Sequence, residues 1–195
     1  MAPKIVTTDK PFTVFSVEAD KDYLLARAMN IAGSAFHSRA GYSSHQACEK
    51  YLKAFMLQES GSYSEGHKLP ELREICSKHD EIFNDDQIVE TLRILDEFEQ
   101  VGRYGAAANF DPGAQTTESI KTSGVMMWSA VYIDRLDHFV FEARGRLDFR
   151  KVGYADDLSA LMNGKKTTQM SSWELKPPLS VVLTRGNKYF KRNFK

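Results

Sequence analysis

The chain has 195 residues, 42% of them hydrophobic and 27% charged, with a formal net charge of zero. That balance belongs to a soluble globular domain able to bury a core without disulfides or a structural metal, and it excludes a disordered or fibrous chain. No apolar run approaches the roughly 20 residues that span a bilayer, and the start, MAPKIVTTDKPF, lacks the apolar stretch of a signal peptide, so no membrane contact and a cytoplasmic location are expected.

In chain order, residues 1–15 read as an extended lead-in, because Pro3 and Pro11 discourage a helix. From about Val17 to Arg39, Tyr23, Leu24, Ala28, Ile31, Ala32 and Ala35 recur at three- and four-residue steps, predicting a helix that Gly41 ends. Ser43 with Gln46 three residues on has the form of a capping box opening a second helix. In it Ala47, Cys48, Tyr51, Leu52, Phe55 and Met56 make an apolar face. Gln46, Glu49, Lys50 and Lys53 make an opposing polar row, with Glu49 and Lys53 in the favourable i, i+4 order. Pro70 suits a first helical position for a third helix through Leu72, Ile75 and Cys76. Asn84 with Gln87 predicts the cap of a fourth, running through Ile88, Leu92, Leu95 and Phe98 to Val101.

A small-residue loop, 105–113, precedes a last long helix over roughly 117–146, with Val125, Trp128, Val131, Tyr132, Leu136, Phe139 and Val140 on its inner stripe. Short connections between such helices predict an all-α, up-and-down bundle of four or five helices. Residues 148–175 read as irregular or weakly helical. The run from Ser180 to Lys191 suggests a small β-hairpin turning at Gly186 and Asn187. The expected division is therefore a lead-in at 1–16, a bundle at 17–147 and a basic extension at 148–195.

Charge supports that division. From Lys165 to Lys195 eight Lys/Arg face one acid, Glu174, a net of +7, which leaves 18 cations and 25 acids, or −7, in residues 1–164. Such a segment can meet nucleic acid, or lie against the acidic body of its own or a neighbouring subunit. Lys188, Lys191, Arg192 and Lys195, interleaved with Tyr189, Phe190 and Phe194, mix charge with stacking faces in the manner of nucleic-acid-binding tails. Cys48 and Cys76 sit in apolar helical patterns and make no metal spacing, so reduced core thiols are expected. No His, Asp or Glu spacing demands a metal, and no cofactor is expected.

The string Gln46-Ala47-Cys48-Glu49-Lys50-Tyr51-Leu52-Lys53-Ala54, then His67-Lys68-Leu69 with Leu72, then Arg103-Tyr104, resembles the HEPN (higher eukaryotes and prokaryotes nucleotide-binding) family over roughly residues 18–145. The resemblance implies a helical bundle, often a homodimer. It also implies one of several activities: metal-independent RNase toxins, partners of small nucleotidyltransferases in toxin–antitoxin modules, or non-catalytic binding domains. Fold does not choose among them. RNase members carry an Arg and a His separated by four to six residues. Here Arg103 is followed by Tyr104, a small-residue run and Asn109, with no histidine. An amide cannot exchange a proton at neutral pH, although it can donate a hydrogen bond to phosphate.

Ligand-binding candidates are therefore Arg103, whose planar fork matches phosphate or carboxylate, with Tyr104, Asn109, Glu49 and Lys53. Arg103 could equally pair with an acid on the second or fourth helix, Tyr104 could be a packed ring, and the row of Glu49, Lys50 and Lys53 could be a solvated face. His67 can brace its loop or stand in as proton donor beside Arg103. His37 and His45 are weaker candidates, and His79 and His138 read as surface or interface residues. A second Arg–His spacing, from Arg73 to His79, falls within one helix and places the two about 120° apart, so the side chains diverge. The leading expectation is a non-catalytic nucleotide- or RNA-binding module. An RNase using Arg103 with His67 or Asn109, and a structural partner of a nucleotidyltransferase, stand as alternatives.

Overall fold

A computed structural model describes residues 4–33, 36–104, 130–149 and 177–189, with backbone alone at 37, 38, 97–104, 130–132 and 177–180. Six α-helices and two short strands lie among the described residues, an all-α bundle. Strand β1 (Ile5–Thr7) pairs antiparallel with β2 (Ser62–Ser64), Val6 opposite Tyr63. The lead-in is thus tied to the far end of the second helix.

Helix α1 (Thr13–Ala32) ends at Gly33, not at Gly41. Gly33 has φ 112° and ψ −176°, a region that a Cβ effectively forbids. Gly41 lies inside α2 (His37–Ser60), so Ser43 is a buried interior residue and the capping-box reading fails. A mid-helix glycine costs only about 1 kcal/mol relative to alanine, which burial of the surrounding turn offsets. Gly61, at φ 65°, stops α2 with its N–H donating to Leu57 O at 3.0 Å.

Helix α3 (Leu69–Cys76) has Pro70 in its first turn, as expected. A 3₁₀ turn (Glu81–Asn84) leads into α4 (Asp86–Tyr104). The cap of α4 is Asp85, whose Oδ1 accepts from Ile88 N at 3.1 Å. Asn84 instead accepts from Arg73 Nη1. His79 lies in the turn beyond the end of α3, so, contrary to expectation, it does not share one helix with Arg73, and the angular argument for their divergence does not apply. Helix α5 (Ala130–Gly145) covers the described part of the last long helix. The predicted stretch 117–129 and the loop 105–113 lie outside the described residues, as does 150–175.

The expected hairpin is replaced by a helix. Pro177–Thr184 forms α6, and Gly186, at φ 66°, lies just beyond its end. The β-prone run Val181-Val182-Leu183 is helical because docking on α1, rather than intrinsic propensity, decides it.

Directions follow from named contacts. Lys50 bonds Asp22 and Tyr51 bonds Asp20, while a short turn joins the other ends of α1 and α2, so the two run antiparallel. Arg27 meets Asp137 and Arg144 meets Asp20, so α5 also opposes α1. Phe55 stacks near Phe83 and His45 lies by Asp96, so α4 opposes α2. Helix α2 is the central element. Its predicted face, Ala47, Cys48, Tyr51, Leu52, Phe55 and Met56, is wholly buried against Tyr23, Leu72, Phe83, Leu92, Leu95, Phe139 and Val140. On α1 the buried stripe is Ser16, Ala19, Tyr23, Ala26 and Arg27 rather than the expected Leu24, Ala28, Ile31 and Ala32, which are partly or fully exposed.

Candidate functional site

The polar row of α2 is not a solvated face. Loop residues 65–68 and the start of α3 fold back over it, so Glu49 and Lys53 are each only 5% exposed. Lys53 Nζ donates to Glu49 Oε1 at 2.7 Å, the i, i+4 pair expected from their order. The same oxygen lies 3.0 Å from His67 Nδ1. Among the described residues Glu49 Oε2 is buried with no hydrogen-bond partner, so the carboxylate has unmet acceptor capacity where desolvation is costly. Lys50 sits half-buried on Asp22.

His67 is the outward part of this cluster, its side chain 59% exposed while its carboxylate partner is enclosed. A carboxylate on Nδ1 fixes the ring's orientation and leaves the opposite nitrogen toward solvent. His67 therefore ties its loop to Glu49 of α2 while much of its ring stays exposed. One turn earlier on α2, His45 is fully buried, its Nε2 3.7 Å from Asp96 Oδ1. It lies nine positions into the helix, not at a helix start. Asp96 Oδ1 also accepts from Leu69 N at 2.8 Å and so caps α3. Sequence reasoning missed Asp96, whose one signal was a carboxylate following the apolar pair Ile94 and Leu95 on α4.

Arg103 and Tyr104 occupy the last turn of α4. Arg103 is seven positions beyond Asp96, so both positions fall on one face of the helix, two turns apart. Because α4 opposes α2, the chain from Asp96 to Arg103 climbs toward the start of α2, where His37 lies, while His45 to Lys53 descends. At 1.5 Å per residue, position 103 and Glu49 stand roughly 15 Å apart along the α2–α4 seam. The candidates thus form two stations at different heights rather than one constellation. Asn109, Lys191, Arg192 and Lys195 lie outside the described residues. Lys188 is described, and its Nζ donates to Asp134 Oδ2 at 2.9 Å, on the chain's own acidic body.

A second polar network was not anticipated. Arg27, in the apolar stripe of α1, bonds Asp137 of α5 through Nη1. Tyr23 Oη donates to the other oxygen of Asp137 at 2.6 Å. Burial raises Asp137 above the usual carboxylate range, outweighing the opposing pull of Arg27 and of the Tyr23 hydrogen bond. Burial, reinforced by Asp137, pushes the Tyr23 phenol up, so it stays a donor. Nearby, Arg144 Nε donates to Asp20 Oδ1 at 2.8 Å, and Tyr51 Oη donates to the same carboxylate. A charge inside the spacing of Tyr23 and Ala26 was the available signal. These groups are enclosed and knit α1 to α5.

Among the described residues no group of three or more His, Cys, Asp or Glu is arranged to hold a metal ion, and no helix is long and apolar enough to cross a membrane. In comparison with known proteins, the family model for the HEPN domain matches residues 18–126, more than half of the chain. No curated protein and no solved structure matches it.

Proposed function

The chain belongs to the HEPN domain family, and from that premise we propose that it is a non-catalytic binding module for an extended anionic ligand, RNA in preference to a single nucleotide. The observation that carries this reading is the spacing of the two stations on the α2–α4 seam. Arg103 stands near one end, on the same face of α4 as Asp96. About 15 Å along the seam, the exposed imidazole of His67 is held by the buried Glu49–Lys53 pair. A mononucleotide cannot bridge that distance, whereas a few linked phosphates can. Arg103 supplies a bidentate phosphate fork, with Tyr104 and Asn109 as neighbouring contacts, and His67 supplies a second donor. Glu49 and Lys53 act on the ligand through His67, since both are enclosed.

The RNase alternative has one observation in its favour, the carboxylate-held imidazole, an arrangement suited to proton transfer. Its difficulty is the same separation, roughly 15 Å between positions 103 and 49, which sets the two stations apart along the seam. A homodimer that brings a second copy's His67 to Arg103 would supply the pair. A role as a nucleotidyltransferase partner in a toxin–antitoxin module is compatible with the same surface.

Fluorescence anisotropy with a labelled 12-nucleotide single-stranded RNA tests the binding reading. Arg103→Ala is expected to weaken binding on the order of tenfold and to lower the salt slope by about one, with the circular dichroism unchanged. Equal affinity for the variant removes the proposal. Cleavage of that RNA in EDTA, lost in both Arg103→Ala and His67→Ala, would replace it with the enzyme.

A further inference from the structure

The C-terminal helix is held in an unusual way. Helix α6, eight residues long, is too short to persist alone in water, so docking must hold it. The grip is at its C-terminal end. Arg27 Nε donates to Val182 O at 2.8 Å and Nη2 donates to Arg185 O, so a buried guanidinium receives carbonyls that the helix leaves unsatisfied and complements its dipole. Beyond Gly186, Asn187 Nδ2 donates to Tyr23 Oη at 2.9 Å and Lys188 pairs with Asp134. The Tyr189 ring lies 5.5 Å from His138 and 5.4 Å from Phe141. Among the described side chains of this segment only Leu183 and Asn187 are buried. Among the described side chains the attachment is therefore specific in its hydrogen bonds yet shallow in apolar area.

What lies beneath can stand without it. If the segment leaves, Arg27 keeps Asp137 and Asp137 keeps Tyr23, so no buried charge is left without its counter-charge. We propose that residues 177–189 are a latch, docked on α1 and α5 through the guanidinium of Arg27, that opens while the rest of the bundle stays folded. Opening converts Lys188 from the partner of Asp134 into a free cation, and uncovers the paired Arg27 and Asp137. The latch is independent of the ligand reading above, because none of its contacts involves the α2–α4 seam.

Native-state hydrogen exchange on the full chain tests it. The reporter is the Arg185 amide, which donates to Val181 O at 2.8 Å, compared with amides of residues 51–55 in the middle of α2. Leu183→Ala removes the buried anchor, and Lys188→Glu places like charges together at the surface without touching the interior. Leu183→Ala is expected to speed exchange at Arg185 by about tenfold or more and Lys188→Glu, acting through an exposed pair, by about three- to fivefold, while α2 changes less than about twofold. A single common exchange rate for α6 and α2, or an Arg185 rate that neither substitution moves, overturns the latch.

Discussion

At the scale of single residues, the chain places charge where sequence patterning expects none. Arg27, Asp137, Glu49 and Lys53 are all buried, and each pair is complete in its charges. Pairs of this kind add little net stability when intact, because desolvation offsets attraction, but removing one member leaves an uncompensated charge. Arg27→Met is therefore expected to cost about 3–5 kcal/mol in urea unfolding, while Arg27→Met with Asp137→Leu recovers most of it. A double variant no more stable than the single one would mean that the pair's role is not charge compensation. The outer pairs, such as Lys4 with Glu65, are exposed and screened and carry no such expectation. The residues legible in sequence were those whose role is local. The order of Glu49 and Lys53 was readable because one helix sets it, whereas the approach of His67 to Glu49 depends on a loop returning across eighteen positions.

At the scale of elements, the bundle's helices were readable and their boundaries less so. Helices α3 and α4 start within two residues of where Pro70 and the Asn84–Gln87 pattern put them. The break between α1 and α2 was misplaced, since both Gly33 and Gly41 can end a helix and only backbone conformation distinguishes them. That gives an element-scale prediction. Gly33→Ala should destabilise the fold by about 1–3 kcal/mol, the strain of its dihedral region. Among the described residues nothing lies within 4 Å of an added Cβ there, so the cost is that of the backbone. An unfolding midpoint equal to that of the parent would show that the α1–α2 turn relaxes. The hairpin expected at 180–191 was wrong because valine and leucine in a short run fit strand or helix alike, and the partner surface chose.

At the scale of the whole molecule, α2 is wrapped by α1, α3, α4 and α5, and its Cys48 belongs to the same buried core as Cys76 of α3. Both thiols are free and buried, and burial pushes both well above the usual thiol range. Alkylation of the native chain should accordingly be negligible, with both cysteines labelling together as urea unfolds it. Fast labelling of either thiol in buffer would contradict a single enclosed core. The segregation of charge is also a molecular property. The basic segment meets the acidic body at Lys188 and Asp134, one of the two destinations that composition allowed.

The sequence by itself determined the helical class, the apolar face of α2 and the family, because each rests on short-range periodicity or on a contiguous string of residues. Tertiary structure alone decided that the polar row of α2 is roofed over, that His67 reaches Glu49, that Arg103 stands at another height of the seam, and that Arg27 grips the C-terminal helix. Those outcomes depend on which distant segments meet, on contacts spanning up to 164 residues, and local preference carries no record of such partners.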